Sequence, residues 1–286
     1  MRYTITVMNA KGGVGKSTLV LGLAETLAAH HGKRVLVIDS DAHASVSNML
    51  MSPPWLATVQ ERGRTVVDYL TAIVLRGATT DWRRFVVAGV SDVDDARSID
   101  LLPGGGQLTL FEREVSRGGA EGALRRTIRT FLAEVRMVYD VVLIDSAPGL
   151  SIATECWLRE ADYYLCPTKP DYISTRGLQF LGEFRRRDID KGFARPLGVI
   201  INMKDPHSLV DQEFDRWLRQ NMHANCFEQP IRRASVLQAA AHFSPRQRSY
   251  WAKYPGDVGR ELRQLTVELL DRLAAQPQSQ ELREQG

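Results

Sequence analysis

Residues Tyr3 to Thr18 read Tyr-Thr-Ile-Thr-Val-Met-Asn-Ala-Lys-Gly-Gly-Val-Gly-Lys-Ser-Thr, and this stretch decides the fold. The apolar run Tyr3, Ile5, Val7 predicts a strand that stops at a glycine-rich loop. Leu19, Val20, Leu23, Leu27 and Ala28 then recur at helical spacing, with Gly32 as a C-cap. Strand, loop and helix in that order are the setting of a phosphate-binding loop. Gly12, Gly13 and Gly15 let the backbone curl so that its N–H groups point at one phosphate. The start of the helix adds partial positive charge at the same place. Lys16 can reach the β- and γ-phosphates of a nucleotide, and the Ser17 hydroxyl can ligate Mg²⁺. A glycine-rich turn with incidental lysines is the weaker reading, because both flanks agree with the loop.

Two further runs carry carboxylates. Val35-Leu36-Val37-Ile38 is unbroken, which suits an interior parallel strand, and it ends in Asp39-Ser40-Asp41. Val141-Val142-Leu143-Ile144 ends in Asp145 in the same way. Carboxylates at the C-terminal ends of parallel strands lie on the ligand edge of such a sheet, and one there can act near a metal, often through water. For Asp39 and Asp41 the competing reading is capping of a following helix. More strands are predicted at Ile99 to Pro103, Ala161 to Pro167 and Leu197 to Ile201. Helices are predicted from Gly122 to Tyr139, from Gly177 to Phe184 and from Gly259 to Ala274. In the second predicted strand-flanking helix, Gly122 to Tyr139, Arg125, Arg126 and Arg129 read as a solvated face. The expected fold is α/β, a doubly wound, mostly parallel sheet flanked by helices, with 1–275 as one domain. Residues 51–107 read in part as a surface insertion, and 276–286 as a polar, disordered tail.

At 286 residues the chain can bury a full core without disulfides. Its three cysteines, Cys156, Cys166 and Cys226, have no C-x-x-C spacing, which favours buried free thiols in a reducing cytoplasm and argues against a metal-cluster enzyme. With a net charge of +3 the whole chain is not a polycation, so any nucleic-acid binding must come from uneven charge placement. No signal peptide and no run of 18 apolar residues is visible, so a cytoplasmic protein is expected.

The usual phosphate-loop pattern is G-x-x-x-x-G-K-[ST]; here Ala10 replaces its first Gly, and Lys11 lies inside the loop. Lys11-Gly12-Gly13-Val14-Gly15-Lys16-Ser17 is the deviant Walker A pattern and resembles the ParA/MinD family of P-loop NTPases. The resemblance covers nearly the whole chain, with its best motifs at residues 9–18, 35–41 and 141–148. It implies ATP and Mg²⁺ as cofactors, with Lys11 to Thr18 around the nucleotide and Ser17, Asp39 and Asp145 around the metal. It implies that Asp41 helps position the attacking water, although Ala42-His43 stands where the family usually has Pro-Gln. Asn202 reads equally as a turn residue or as a reader of the adenine edge. Cys226 to Arg233 resembles the family's last core strand, with Pro230 and Ile231 closing over the base. The resemblance further implies an ATP-dependent homodimer in which Lys11 crosses to the partner's phosphates, and a ParB-like or other cargo adaptor that stimulates slow hydrolysis.

Between Tyr172 and Arg263 stand 16 Lys plus Arg against 10 Asp plus Glu, so this third is the basic part of the chain. Arg216, Arg219, Arg232, Arg233, Arg246, Arg248 and Lys253 are its notable members. As a group they suggest nonspecific, salt-sensitive binding to nucleoid DNA; singly each is an ordinary surface residue. The function expected is a partition or positioning ATPase. A MinD-like membrane-associated ATPase is the alternative, disfavoured because the last helix carries acidic residues and no Trp or Phe.

Overall fold

The computed structural model describes residues 2–187, 192–221 and 225–276. Six strands form its sheet: β1 (Tyr3–Val7), β2 (Val35–Ser40), β3 (Ile99–Leu102), β4 (Val141–Ser146), β5 (Tyr163–Thr168) and β6 (Arg195–Ile201). Their spatial order is β3-β2-β4-β1-β5-β6, and every strand pairing is parallel. The interior strands are buried along both faces, which is why β2 and β4 read as unbroken apolar runs. Alternate side chains serve opposite faces. Val35, Val37 and Leu143 join one core, while Leu36, Ile38 and Ile144 join the other.

The first core is covered by α1 (Lys16–His31), α2 (Ser45–Leu50), α3 (Pro53–Glu61), and the later α10 (Ser235–Ala240), α11 (Tyr250–Lys253) and α12 (Asp257–Ala274). The second is covered by α4 (Val66–Leu70), α5 (Leu108–Arg117), α6 (Glu121–Val135), α7 (Ile152–Glu160), α8 (Tyr172–Arg187) and α9 (Leu209–Asn221). The expected stripe of α6, Leu124, Ile128, Phe131, Leu132 and Val135, is the buried one. In α12, Leu262, Leu265, Leu269 and Leu273 are buried, packed in the same core as Leu19, Leu23 and Leu27 of α1. That apolar face is therefore occupied inside the protein. Among the described residues no helix is long and apolar enough to cross a membrane.

Within 51–107, Val59, Leu70, Trp82, Val90 and Val93 are buried. Two expectations need correction. Cys226 to Arg233 is not a strand. It meets β6 through an isolated bridge, Val199 to Cys226, and a hydrogen bond from the Ile231 N–H to the Ile201 carbonyl, and it forms a second isolated bridge, Lys204 to Arg232, beyond the strand's end. The reason is local: Pro230 has no N–H, and the N–H groups of Glu228 and Gln229 donate to the Glu268 carboxylate of α12 instead. Arg125 and Arg129 do not form a simple solvated face, since both pair with the buried Glu160 of α7. The expected tail at 276–286 lies, beyond Gln276, outside the described residues.

Register places the chemistry. Val7, the last residue of β1, pairs with Asp145 of β4, and Asp145 pairs with Asp39 of β2. The glycine-rich loop thus leaves the sheet beside two carboxylates, at the C-terminal edge where ligands bind in such folds.

Candidate functional site

The loop is shaped by its glycines and pinned by two amides. Gly13 and Gly15 have φ of 71° and 85°, in the left-handed region. Gly15 is the N-cap of α1, whose first turn carries no acidic residue. A Cβ on Gly15 would lie 2.5 Å from Asn202 Nδ2, so the loop also needs glycine there for space. Asn202 Nδ2 donates to the Val14 carbonyl at 2.8 Å, and Asn202 Oδ1 accepts from the Met203 N–H. On the other shoulder, the Lys11 N–H donates to Asn9 Oδ1, and Asn9 Nδ2 donates to the Pro167 carbonyl. Asn9 was not singled out from sequence; an Asn two residues before the loop lysine carries no signal until the neighbouring strand is known.

Below the loop lies an unusual charge arrangement. Lys16 is nearly buried, and its pKa is lowered by that burial, with Asp145 and Asp41 pulling the other way. Asp145 is fully buried, and neither carboxylate oxygen has a hydrogen bond of good geometry. Burial pushes its pKa well above the usual carboxylate range, the neighbouring Asp39 pushes it further, and Ser17 and Lys16 oppose the shift. Asp39 is raised to about 6, again chiefly by burial, against the hydrogen bonds it accepts. Those bonds come from the Ser47 N–H, the Ser47 hydroxyl and the Asp41 N–H. For Asp39 the capping reading therefore describes its contacts: its oxygens hold the first turn of α2. A Cβ on Gly104 would lie 2.9 Å from its Cγ, so no bulkier residue fits beside it.

A buried carboxylate with two empty acceptors next to a hydroxyl and a phosphate loop fits a divalent cation. Ser17 and Asp145 are the groups present for it. Among the described residues no three or more His, Cys, Asp or Glu side chains are arranged so that they could together hold a metal ion. Mg²⁺ is commonly held by one or two protein groups plus phosphate oxygens.

Two adjoining cavities flank the loop and share Thr18 and Met203. The first, about 340 Å³, is lined by Gly12, Gly13, Gly15, Lys16 and Ser17 together with Asp41, His43 and Pro148. The second, about 310 Å³, is lined by Leu19, Asn202, Ile231, Arg233, Leu237 and Leu262, among others. The cleft beside the glycine-rich loop suits the phosphates of a nucleotide, and the adjoining slot with Leu19, Ile231, Leu237 and Leu262 suits its base. Ile231 lines the slot, whereas Pro230 is not in its wall. Asn202 lines it too, but both ends of its amide are engaged within the chain.

Lys11 does not point freely outward. Its Nζ lies 3.2 Å from Asp171 Oδ1 and 3.1 Å from Ser174 Oγ, at the start of α8. The basic residues divide in two. Arg219 pairs with Asp215 and Glu228, Arg232 with Glu261 and Asp257, and Arg248 with the buried Asp92. Lys253 is not on the surface at all, being buried between Glu25 and Asp92. Arg216, Arg233 and Arg246 are exposed and, among the described residues, carry no ion pair.

Fold and loop together define a P-loop protein with a second lysine inside the loop. The AAA-domain family model matches residues 2–191. A ParA family protein of Chlamydia pneumoniae is 30% identical over 245 residues, covering 85% of this chain and 88% of that protein. The chromosome-partitioning ATPase Soj of Thermus thermophilus is 30% identical over 273 residues, covering 94% and 96%. Among solved structures, pNOB8 ParA bound to nonspecific DNA superposes with a TM-score of 0.71 at 20% identity, covering 97% of this chain and 100% of that one. The chain belongs to the ParA family of P-loop partition ATPases.

Proposed function

We propose that this protein is an ATP-driven molecular switch that dimerises on ATP, binds nucleoid DNA without sequence preference, and releases it after hydrolysis. The observation that carries this reading is the site itself: a phosphate loop with Lys16 over an unpartnered Asp145, and a second lysine, Lys11, at the rim. Lys16, the N–H groups from Gly12 to Thr18 and the start of α1 bind the phosphates. Leu19, Ile231, Leu237 and Leu262 take the base. Ser17 and Asp145 hold Mg²⁺, which when bound neutralises charge on the phosphates. Asp41 orients the water. Lys11 reaches the partner's phosphates across the dimer, where a cation offsets charge developing in the transition state.

DNA binding rests on the likeness to a ParA whose structure contains nonspecific DNA, and on the exposed Arg216, Arg233 and Arg246. Stacking two copies doubles the number of basic contacts, so affinity rises with ATP. The cargo is a plasmid, a chromosome origin or a comparable body, linked through an adaptor protein that stimulates hydrolysis. Repeated locally on the nucleoid, this cycle moves or spaces that cargo.

Co-sedimentation with plain duplex DNA and with anionic liposomes, each with ATP, ADP or no nucleotide, tests the reading. ATP-dependent binding to DNA but not to liposomes is expected. Binding to liposomes alone would replace it with a membrane-positioning role.

A further inference from the structure

His43 stands on the loop between β2 and α2, and the structure gives it a defined partner in Asp41. We propose that His43 is a catalytic residue: its imidazole takes the proton of the water that attacks the terminal phosphate, and Asp41 holds the ring. The proposal rests on the nucleotide reading above and adds a base to it.

Asp41 Oδ1 accepts two hydrogen bonds from His43, one from its backbone N–H and one from Nδ1, both at 2.9 Å. A carboxylate has no proton to give, so the proton sits on Nδ1. Nε2 is left as a free acceptor, with no partner among the described residues. The Asp41 side chain is 11% exposed and that of His43 84%, so the carboxylate anchors the ring from inside while the ring reaches the cleft. Both residues line the same cleft as Gly13, Lys16 and Ser17. Among the side chains lining it, the charged or titratable ones are Asp41, His43 and Lys16 of α1. The backbone around the pair is strained. Ala44 has φ of 50°, unusual for a residue with a Cβ, and its N–H donates to the Asp41 carbonyl at 2.9 Å. Such conformations persist where the surroundings fix them, and they concentrate at functional sites.

In the proposed step the water oxygen bonds to the terminal phosphorus as the bond to the bridging oxygen breaks. ADP leaves with that electron pair, and the water proton passes to Nε2. The imidazolium, held against Asp41, then releases the proton to solvent.

The test is single-turnover hydrolysis of Mg-ATP by the full chain from pH 5.5 to 8.5, with ATP affinity measured in parallel by a fluorescent analogue. His43→Gln should bind ATP as the parent does, hydrolyse it about tenfold more slowly, and lose the acid limb of the parent's profile. The factor is below the usual range for a general base because the transition state is loose. Imidazole added to His43→Ala should restore part of the rate, which a purely structural histidine would not allow. A His43→Gln variant with the parental rate and profile would overturn the proposal, as would a slow variant that keeps the acid limb and gains nothing from imidazole. A parent that fails to bind ATP removes the nucleotide reading, and this inference with it.

Discussion

Lys16 and Lys11 sit five residues apart and face opposite problems. Lys16 is held in a dry place where its charge is costly without a counter-anion, and Asp145 below it cannot satisfy its own oxygens. A bound phosphate with its cation resolves both. Lys16→Ala should therefore abolish nucleotide binding by isothermal calorimetry; parental affinity in that variant would remove the loop assignment. Lys11 is half-exposed and paired in its own chain with Asp171. An exposed pair of this kind is worth about 0–1 kcal/mol, enough to bias a weak dimer but not to prevent it. Asp171→Asn keeps an oxygen for the Ser174 N–H, which Asp171 caps at 2.7 Å, while removing the charge that holds Lys11. It should lower the ATP concentration needed for dimerisation by up to about fivefold, as read by sedimentation velocity. An unchanged or higher requirement would mean that the pair does not restrain Lys11. Much of this scale was legible: Lys11, Gly12, Gly13, Gly15, Lys16 and Ser17 announce themselves by spacing. Asn9, Asp171 and the His43–Asp41 pair did not, because their partners are fixed by neighbouring strands or by turn geometry.

At the scale of elements, the sheet edge and one buried ion cluster decide stability. The run Val141 to Asp145 was readable because a strand covered on both faces must be apolar throughout. The segment 226–233 resembles a strand in sequence because Glu268, which takes the Glu228 and Gln229 N–H groups, is far away along the chain. Asp39 and Asp145 at adjoining strand ends give the metal-free protein a pH signature. Asp39 has a folded pKa raised to about 6 from 3.8. Its contribution is fully present below pH ~4 and is lost as pH rises through about 6. The melting temperature of metal-free protein should therefore fall between about pH 4 and 6.5, and Asp39→Asn should flatten that slope. An identical slope in the variant would assign it to other groups. Elsewhere Lys253 bridges Glu25 of α1 to Asp92 at 2.7 and 2.6 Å with no exposed atoms, and the Tyr254 hydroxyl donates to the same glutamate. This cluster ties the 91–96 segment and α11 to α1. Lys253→Met leaves two buried carboxylates facing each other and should cost about 3–5 kcal/mol in urea unfolding. A loss below about 1 kcal/mol would show that the cluster is not holding these segments.

For the whole molecule, the question is which surfaces change when ATP binds. Sequence counting found the basic third of the chain but could not tell free arginines from paired ones. Arg219, Arg232 and Arg248 face internal carboxylates, so their removal would disturb folding before it disturbed DNA. Arg216→Glu together with Arg246→Glu is the cleaner probe. It should weaken DNA binding across all sequences and reduce the salt slope by about 2, near one unit per lost phosphate contact, with melting temperature unchanged. A parental slope would place the DNA surface elsewhere. The account as a whole turns on the coupling of ATP to dimer formation through Lys11. Sedimentation velocity of the parent and of Lys11→Ala, each saturated with ATP and Mg²⁺, measures it directly. The parent should shift from monomer to dimer while Lys11→Ala binds ATP and stays monomeric; a parent that remains monomeric with ATP bound, or a Lys11→Ala variant that dimerises equally well, would contradict it.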